Sequence, residues 1–152
     1  MTFDWREYLT LAKELKDDSI TNKNLINARL RTSISRIYYS VFHISKDYLT
    51  LSGEKFRQSA DVHKKICDRL NELARNEIDE TKQKQLSKIS YYLEVLRILR
   101  NNADYDDEFL NNVTKDKLPN SNYTLYNNKN YGKVVERAIE DADEIINIVK
   151  SL

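Results

Sequence analysis

Arg100 stands where the helical pattern around it calls for an apolar residue. Leu86, Ile89, Leu93 and Leu96 recur at helical spacing, and the next steps of that stripe are Arg100 and Ala103. At about 100° per residue, Arg100 points the same way as the centre of the stripe. A guanidinium there is directed inward or at a partner, and a buried charge is costly unless it is paired or used. The alternative is a helix-end arginine that bonds its own last carbonyls or a nearby carboxylate, with Asp104 and Asp106 available.

Two further groups of residues have chemical potential. Arg29, Arg36 and His43 are spaced by seven, so they line one ridge of a helix, with Tyr39 and Ser40 beside them. Such a ridge could meet phosphates and bases; it could equally be a solvated face or hydrogen-bond between helices. His63 opens the next helix beside Lys64 and Lys65, with Arg69 further on. A lone histidine near a helix start is more often structural than catalytic. Other chemistries lack their residues. There is no Glu-x-x-His pair for a di-iron bundle, no paired Cys/His spacing for zinc and no glycine-rich loop for a nucleotide phosphate. No metal and no cofactor is therefore expected. Cys67, next to Ile66 in a helical pattern, reads as core packing.

The elements that position these residues are helices. The chain has 152 residues, 40% hydrophobic and 32% charged, with two glycines and one proline. So few turn residues argue against an all-β fold. The spacing predicts a first helix over about Phe3 to Leu15, capped by Thr2, with Trp5, Tyr8, Leu9, Ala12 and Leu15 as its apolar face and a break at Asp17-Asp18-Ser19. A long second helix follows, over about Asn24 to Leu49, with Ile26, Leu30, Ile34, Ile37, Val41, Ile44 and Tyr48 in one stripe. Then come a turn at Gly53, a third helix over about Ser59 to Ala74 and a fourth over about Thr81 to Asn101. Residues 104–130, rich in Asn and Asp and containing Pro119, read as a long surface loop, with a short helical turn at Phe109 and Leu110. A fifth helix starts near Tyr131. The expectation is an all-α fold in one domain over residues 1–152, an antiparallel four-helix bundle plus a C-terminal helix.

Composition narrows the setting. No stretch approaches the roughly 18–20 apolar residues of a membrane span, and no leader pattern opens the chain, so no membrane role is expected. Cys67 is the single cysteine, which suits a reducing cytosol. The sequons at Asn112 and Asn122 accordingly read as loop residues. Net charge is +1, yet residues 22–75 hold 11 Lys/Arg against 5 Asp/Glu while residues 101–152 hold 6 against 10. A locally basic surface is what phosphate binding needs, although charged helices also segregate by chance.

Taken together, three segments resemble a known family. "RTSISRIYYSVFH" (Arg31 to His43), the histidine opening the following helix (His63) and "LRILRNNADYD" (Leu96 to Asp106) are similar to the small stand-alone prokaryotic HEPN proteins with an SR-x-YY-x-x-FH … R-x-x-ADY pattern. The resemblance implies a helical bundle that pairs as a homodimer across its third and fourth helices. It also implies RNA-linked roles in toxin–antitoxin, antiphage or CRISPR-associated systems, alone or beside a nucleotidyltransferase or another defence effector.

Active HEPN ribonucleases carry an arginine, four to six further residues and a histidine, and cleave RNA without metal. The 2′-hydroxyl attacks the adjacent phosphate, the arginine balances the developing charge and the histidine moves protons. Here the arginine maps to Arg100, its neighbour to Asn101, and Tyr105 occupies the histidine position, with Asp104 beside it. A phenol has a pKa near 10 and is a poor base at neutral pH. Arg36 and His43 satisfy the spacing formally, but on the second helix, roughly 10.5 Å apart along its axis. The candidate catalytic set is therefore Arg100, Asn101, Asp104 and Tyr105. The candidate RNA-binding set is Arg29, Arg36, Tyr39, His43, His63 and Lys64.

Overall fold

A computed structural model describes residues 2–106, 123 and 131–152. The described residues form five helices: α1 (Arg6–Thr21), α2 (Ile26–Leu51), α3 (Val62–Asn76), α4 (Glu80–Tyr105) and α5 (Tyr131–Ser151). The expected all-α fold is what the chain adopts. Helix α2 is its spine and packs against each of the other four. The connections 22–25 and 77–79 are short, which makes α1–α2 and α3–α4 hairpin-like neighbours.

The stripes read from the sequence are the buried faces. Leu30, Ile34, Ile37 and Val41 of α2 meet Leu86, Ile89, Leu93 and Leu96 of α4 and Val134, Ala138, Ala142 and Ile145 of α5 in one core. Helix α5 belongs to that core, with its apolar face against α2 and α4; α3 packs mainly on α4 through Val62, Ile66 and Leu70. Small residues let helices approach closely. Ser33 is fully buried and donates its hydroxyl to the Ala12 carbonyl of α1 at 2.8 Å.

Several boundaries differ from expectation, each for a local reason. Trp5, not Thr2, holds the N-cap position of α1 and gives no side-chain bond there; Asp4, one residue before it, accepts the Arg6 backbone N–H at 3.0 Å and its guanidinium as well. Helix α1 runs through Asp17-Asp18-Ser19 to Thr21. The two aspartates face solvent, and buried Ser19 satisfies its hydroxyl on the Lys16 carbonyl at 2.6 Å. Helix α4 starts on Asp79, whose carboxylate accepts the Lys82 N–H. It continues past Asn101 to Tyr105, so the expected loop begins later than residue 104. Arg31 holds that end by donating to the Ala103 and Asp106 carbonyls at 3.2 and 2.5 Å, where a helix leaves carbonyls unpaired. The turn expected at Phe109 and Leu110, Pro119 and the sequons at Asn112 and Asn122 lie outside the described residues.

Leu25, just before α2, has φ 58°, the left-handed region that a branched side chain enters at a cost, and its side chain is 73% exposed. Leu25→Asn sacrifices little packing and is expected to stabilise the fold by about 1 kcal/mol. Thermal melting checks this. A midpoint that rises by a few degrees supports the strained turn; a lowered one contradicts it.

Candidate functional site

The inward stripe of α4 carries Arg100 into the bundle as the sequence implies. Its side chain is 9% exposed. Three aromatic rings surround it, with the guanidinium carbon 5.3 Å from the Tyr38 centroid, 5.3 Å from that of Tyr39 and 5.9 Å from that of Tyr105. Among the described residues the carboxylate near it is Asp104, 3.8 Å from Nη1, which is too long for a good hydrogen bond. Asp104 is itself held by the Ser35 hydroxyl at 3.3 Å. Asp106, the other partner foreseen for Arg100, instead accepts from the Asn102 amide at 2.6 Å. Nε of Arg100 is buried and has no hydrogen-bond partner among the described residues. Ring faces compensate part of the desolvation of a guanidinium, but they leave its N–H donors unspent.

Arg100 lines a cleft of about 690 Å³ between α3 and α4, together with His63, Lys64, Cys67, Arg97, Asn101 and Tyr105 among others. The cleft is electrically mixed. Arg97 is bidentate on Glu94, at 3.1 and 2.7 Å, and Lys64 pairs with Asp68 at 2.9 Å. Arg100 is thus the cation in the cleft least engaged with a carboxylate. Cys67 forms part of the wall, its thiol pushed up to about 11 mainly by burial, which keeps it protonated and unreactive. Tyr105 is 75% exposed at the rim. His63 bonds through Nδ1 to the Tyr38 hydroxyl and packs on Phe42. Burial, then the charges of Arg100 and Arg97, lower its pKa, so the ring is neutral at neutral pH.

The ridge on α2 is covered by α1. Arg29 donates to the Asn22 and Asn24 carbonyls, both at 2.6 Å, and stands apart from the cleft. Arg36 lies between Tyr8 and Tyr39, its guanidinium carbon 4.9 and 5.5 Å from their centroids, and its Nε is buried without a partner. His43 stacks on Trp5 at 3.6 Å between centroids. Of the residues singled out in the sequence, the fold brings Arg100, Asn101, Tyr105, His63 and Lys64 to one cleft. Tyr39 touches both Arg36 and Arg100, and so links the ridge to it. Sequence reasoning missed Tyr38, Glu94 and Arg97. Arg97 had a signal, since it lies three residues before Arg100 on α4; Tyr38 meets His63 only through the tertiary fold.

A larger groove of about 1030 Å³ lies where α3 and α4 approach α5, beside Tyr91, Lys88 and Glu144. Lys88 there pairs with Glu144 and Lys84 with Glu80, and the third cation, Arg75, is exposed to solvent, so the groove holds no buried cation. Among the described residues, no cluster of three or more His, Cys, Asp or Glu could hold a metal ion, and no helix is long and apolar enough to cross a membrane.

Burial between Trp5 and the bundle pushes the pKa of His43 down to about 4, helped by Lys46 and His63. The unfolded chain takes up this proton near 6.5 and the folded chain only near 4. Stability linked to His43 is therefore intact above pH 6.5 and is lost as pH falls towards 4. His43→Phe keeps an aromatic ring on Trp5 and removes the titration. Melting temperatures across this range are expected to fall less steeply for the variant; parallel curves would contradict a buried neutral His43.

The HEPN domain family model matches residues 11–152 of the chain. Neither a curated protein nor a solved structure matches it. The family match covers α2 to α5 and most of α1, including every residue that lines the Arg100 cleft. HEPN domains are in general ribonuclease-like or defence-associated modules that commonly bind RNA and pair as dimers. With its five helices, its arginine at the inner end of α4 and this match over nearly all its length, the chain belongs to the HEPN family.

Proposed function

We propose that this protein acts on RNA as a homodimer, with the cleft at Arg100 receiving a phosphodiester. One observation carries the reading: a buried arginine, 7% exposed, that lines a cleft with a partnerless Nε and its nearest described carboxylate, Asp104, no closer than 3.8 Å. An arginine in that condition gains a charge-assisted, forked contact when a phosphate arrives. Asn101 adds an amide at the wall, Tyr105 a hydroxyl at the rim and Lys64 a mobile charge at the entrance. Tyr39 and Arg36 extend the site towards α1, and RNA that runs on past the cleft would meet Arg29 and His43 further along α2.

The reaction this set suits is metal-independent cleavage. The RNA 2′-hydroxyl loses its proton as its oxygen attacks the adjacent phosphorus. The 5′-oxygen leaves with a proton, and a 2′,3′-cyclic phosphate remains. Arg100 would balance the charge on the phosphorane, and Asp104 would position Arg100. A phenol at the proton-transfer position is a weak acid and a poor base near neutral pH. The absence of the family histidine costs roughly 10²–10⁴ in rate, so the proposal is a weak or conditional endoribonuclease. Tyr105 also supports a second reading, in which the chain is a non-catalytic HEPN module that binds RNA or pairs with a nucleotidyltransferase or another defence effector. Either reading fits a cytoplasmic toxin–antitoxin, antiphage or CRISPR-linked system, as a single domain without resident metal or cofactor.

Cleavage of labelled RNA by the purified protein, with variants, tests the site. Arg100→Ala is expected to reduce cleavage by about 10²-fold or more while circular dichroism stays helical. Tyr105→His is expected to raise cleavage, because imidazole titrates near neutral pH, and EDTA is expected to change nothing. Cleavage that survives Arg100→Ala contradicts the assignment. Light scattering at micromolar concentration is expected to give twice the 18.0 kDa chain mass; a particle of the chain mass contradicts the dimer.

A further inference from the structure

His63 and Tyr38 form a pair whose chemistry the cleavage scheme above does not use. Tyr38 is 2% exposed, and among the described residues its hydroxyl has one hydrogen-bond partner, Nδ1 of His63. Burial raises its pKa, so the phenol keeps its proton. A buried O–H needs an acceptor, and leaving it without one costs more than the bond itself is worth. Nδ1 is the acceptor within reach, so its lone pair must be free to take that proton.

The ring is also barred from the doubly protonated form, which has no lone pair. His63 lies in the first turn of α3, at the positive end of that helix. From α4 it faces Arg97 and Arg100; from α2 it faces Tyr38, the apolar ring of Phe42 and the neutral His43. The carboxylates that share the cleft are committed elsewhere: Glu94 to Arg97, Asp68 to Lys64, and Asp61 to Lys65 and Ser59. A neutral imidazole with a bare Nδ1 carries its hydrogen on Nε2. That N–H makes no hydrogen bond among the described residues, and His63 lines the cleft shared with Arg100.

We propose that His63 is a second phosphate-contacting residue of the cleft, a neutral donor through Nε2–H that Tyr38 fixes in this tautomer, and that it binds a non-bridging oxygen of the phosphodiester held by Arg100. The proposal rests on the reading of the cleft as a phosphodiester site. It gives the cleft two fixed donors from different helices, Arg100 on α4 and His63 on α3. A bound phosphate would then be oriented as well as attracted. In this tautomer His63 is no general base, since Nδ1 is occupied and Nε2 already holds its proton. Tyr38 is a positioning residue: it acts on the phosphate only through the ring of His63.

The test combines side-chain NMR with binding of a 2′-O-methyl RNA oligonucleotide, which cannot be cleaved. The chain holds two histidines, so long-range nitrogen–proton spectra of histidine-labelled protein resolve both rings. His63 is expected to show an unprotonated Nδ1 and a protonated Nε2 at neutral pH, with the Nε2 signal moving when RNA is added. Tyr38→Phe is expected to let the other tautomer appear. His63→Leu is expected to weaken binding roughly tenfold, while His63→Gln, which retains an N–H, stays close to wild type. A protonated Nδ1 in the wild type overturns the proposal, and so does RNA binding that depends on Arg100 but is unchanged in His63→Leu. RNA binding that is absent, or unaffected by Arg100→Ala, removes the phosphodiester reading beneath it.

Discussion

A guanidinium inside a helical bundle is the constraint on which the rest of this structure depends. Taking an unpaired charge out of water costs several kcal/mol even after the surroundings relax. At Arg100 the chain offsets this with ring faces rather than with a tight ion pair. Tyr38 and Tyr39 of α2 must therefore face α4 at this level, which sets the register of the two longest helices. The same end of the bundle is tied by Arg31 on the Ala103 and Asp106 carbonyls and by Ser35 on Asp104. These bonds fix where α4 ends and where Tyr105 emerges, and so they shape the cleft. Compensation is incomplete, since Nε has no hydrogen-bond partner among the described residues and its desolvation is left unrepaid.

Around that point the aromatic side chains do two jobs. They fill the space beside the core, and they stack cations whose charge would otherwise be exposed or neutralised. Arg36 between Tyr8 and Tyr39 and Arg100 beside Tyr38 and Tyr39 share the Tyr39 ring, so this layer runs from α1 across α2 to α4, and His43 extends it as a neutral ring on Trp5. Such a layer preserves positive charge near the cleft without lining it with lysines. It also lets a chain with a net charge of only +1 keep buried guanidinium charge at one end of the bundle. The paired carboxylates of Glu94 and Asp68 temper the field at the rim.

The helices and the inward aim of Arg100 were legible in the sequence because both follow from periodicity, and a 3.6-residue repeat survives any detail of packing. The α1 extension was not legible. Asp17-Asp18-Ser19 looks like a breaker until the buried Ser19 finds the Lys16 carbonyl. The Arg29–Arg36–His43 spacing located one ridge of α2 correctly, but spacing cannot say which element covers a ridge. Here α1 covers it through Trp5 and Tyr8, and the Asn22 and Asn24 carbonyls occupy Arg29. His63 was visible as a residue type near Lys64. Its partner Tyr38 is 25 positions away and meets it only in the folded bundle. Arg97 belonged to the motif-bearing helix, yet its place in the cleft depends on α3 lying beside it.

The central claim, that Arg100 is held ready for an RNA phosphate, is tested most directly at Nε itself. The arginine Nε–H resonances can be followed as 2′-O-methyl RNA is titrated into the protein. The account predicts that the Arg100 Nε–H signal shifts with the binding curve and exchanges more slowly with water at saturation, while that of Arg29, bound to backbone carbonyls, stays in place. Saturating RNA that moves the signals of surface arginines and leaves Arg100 unchanged would contradict it.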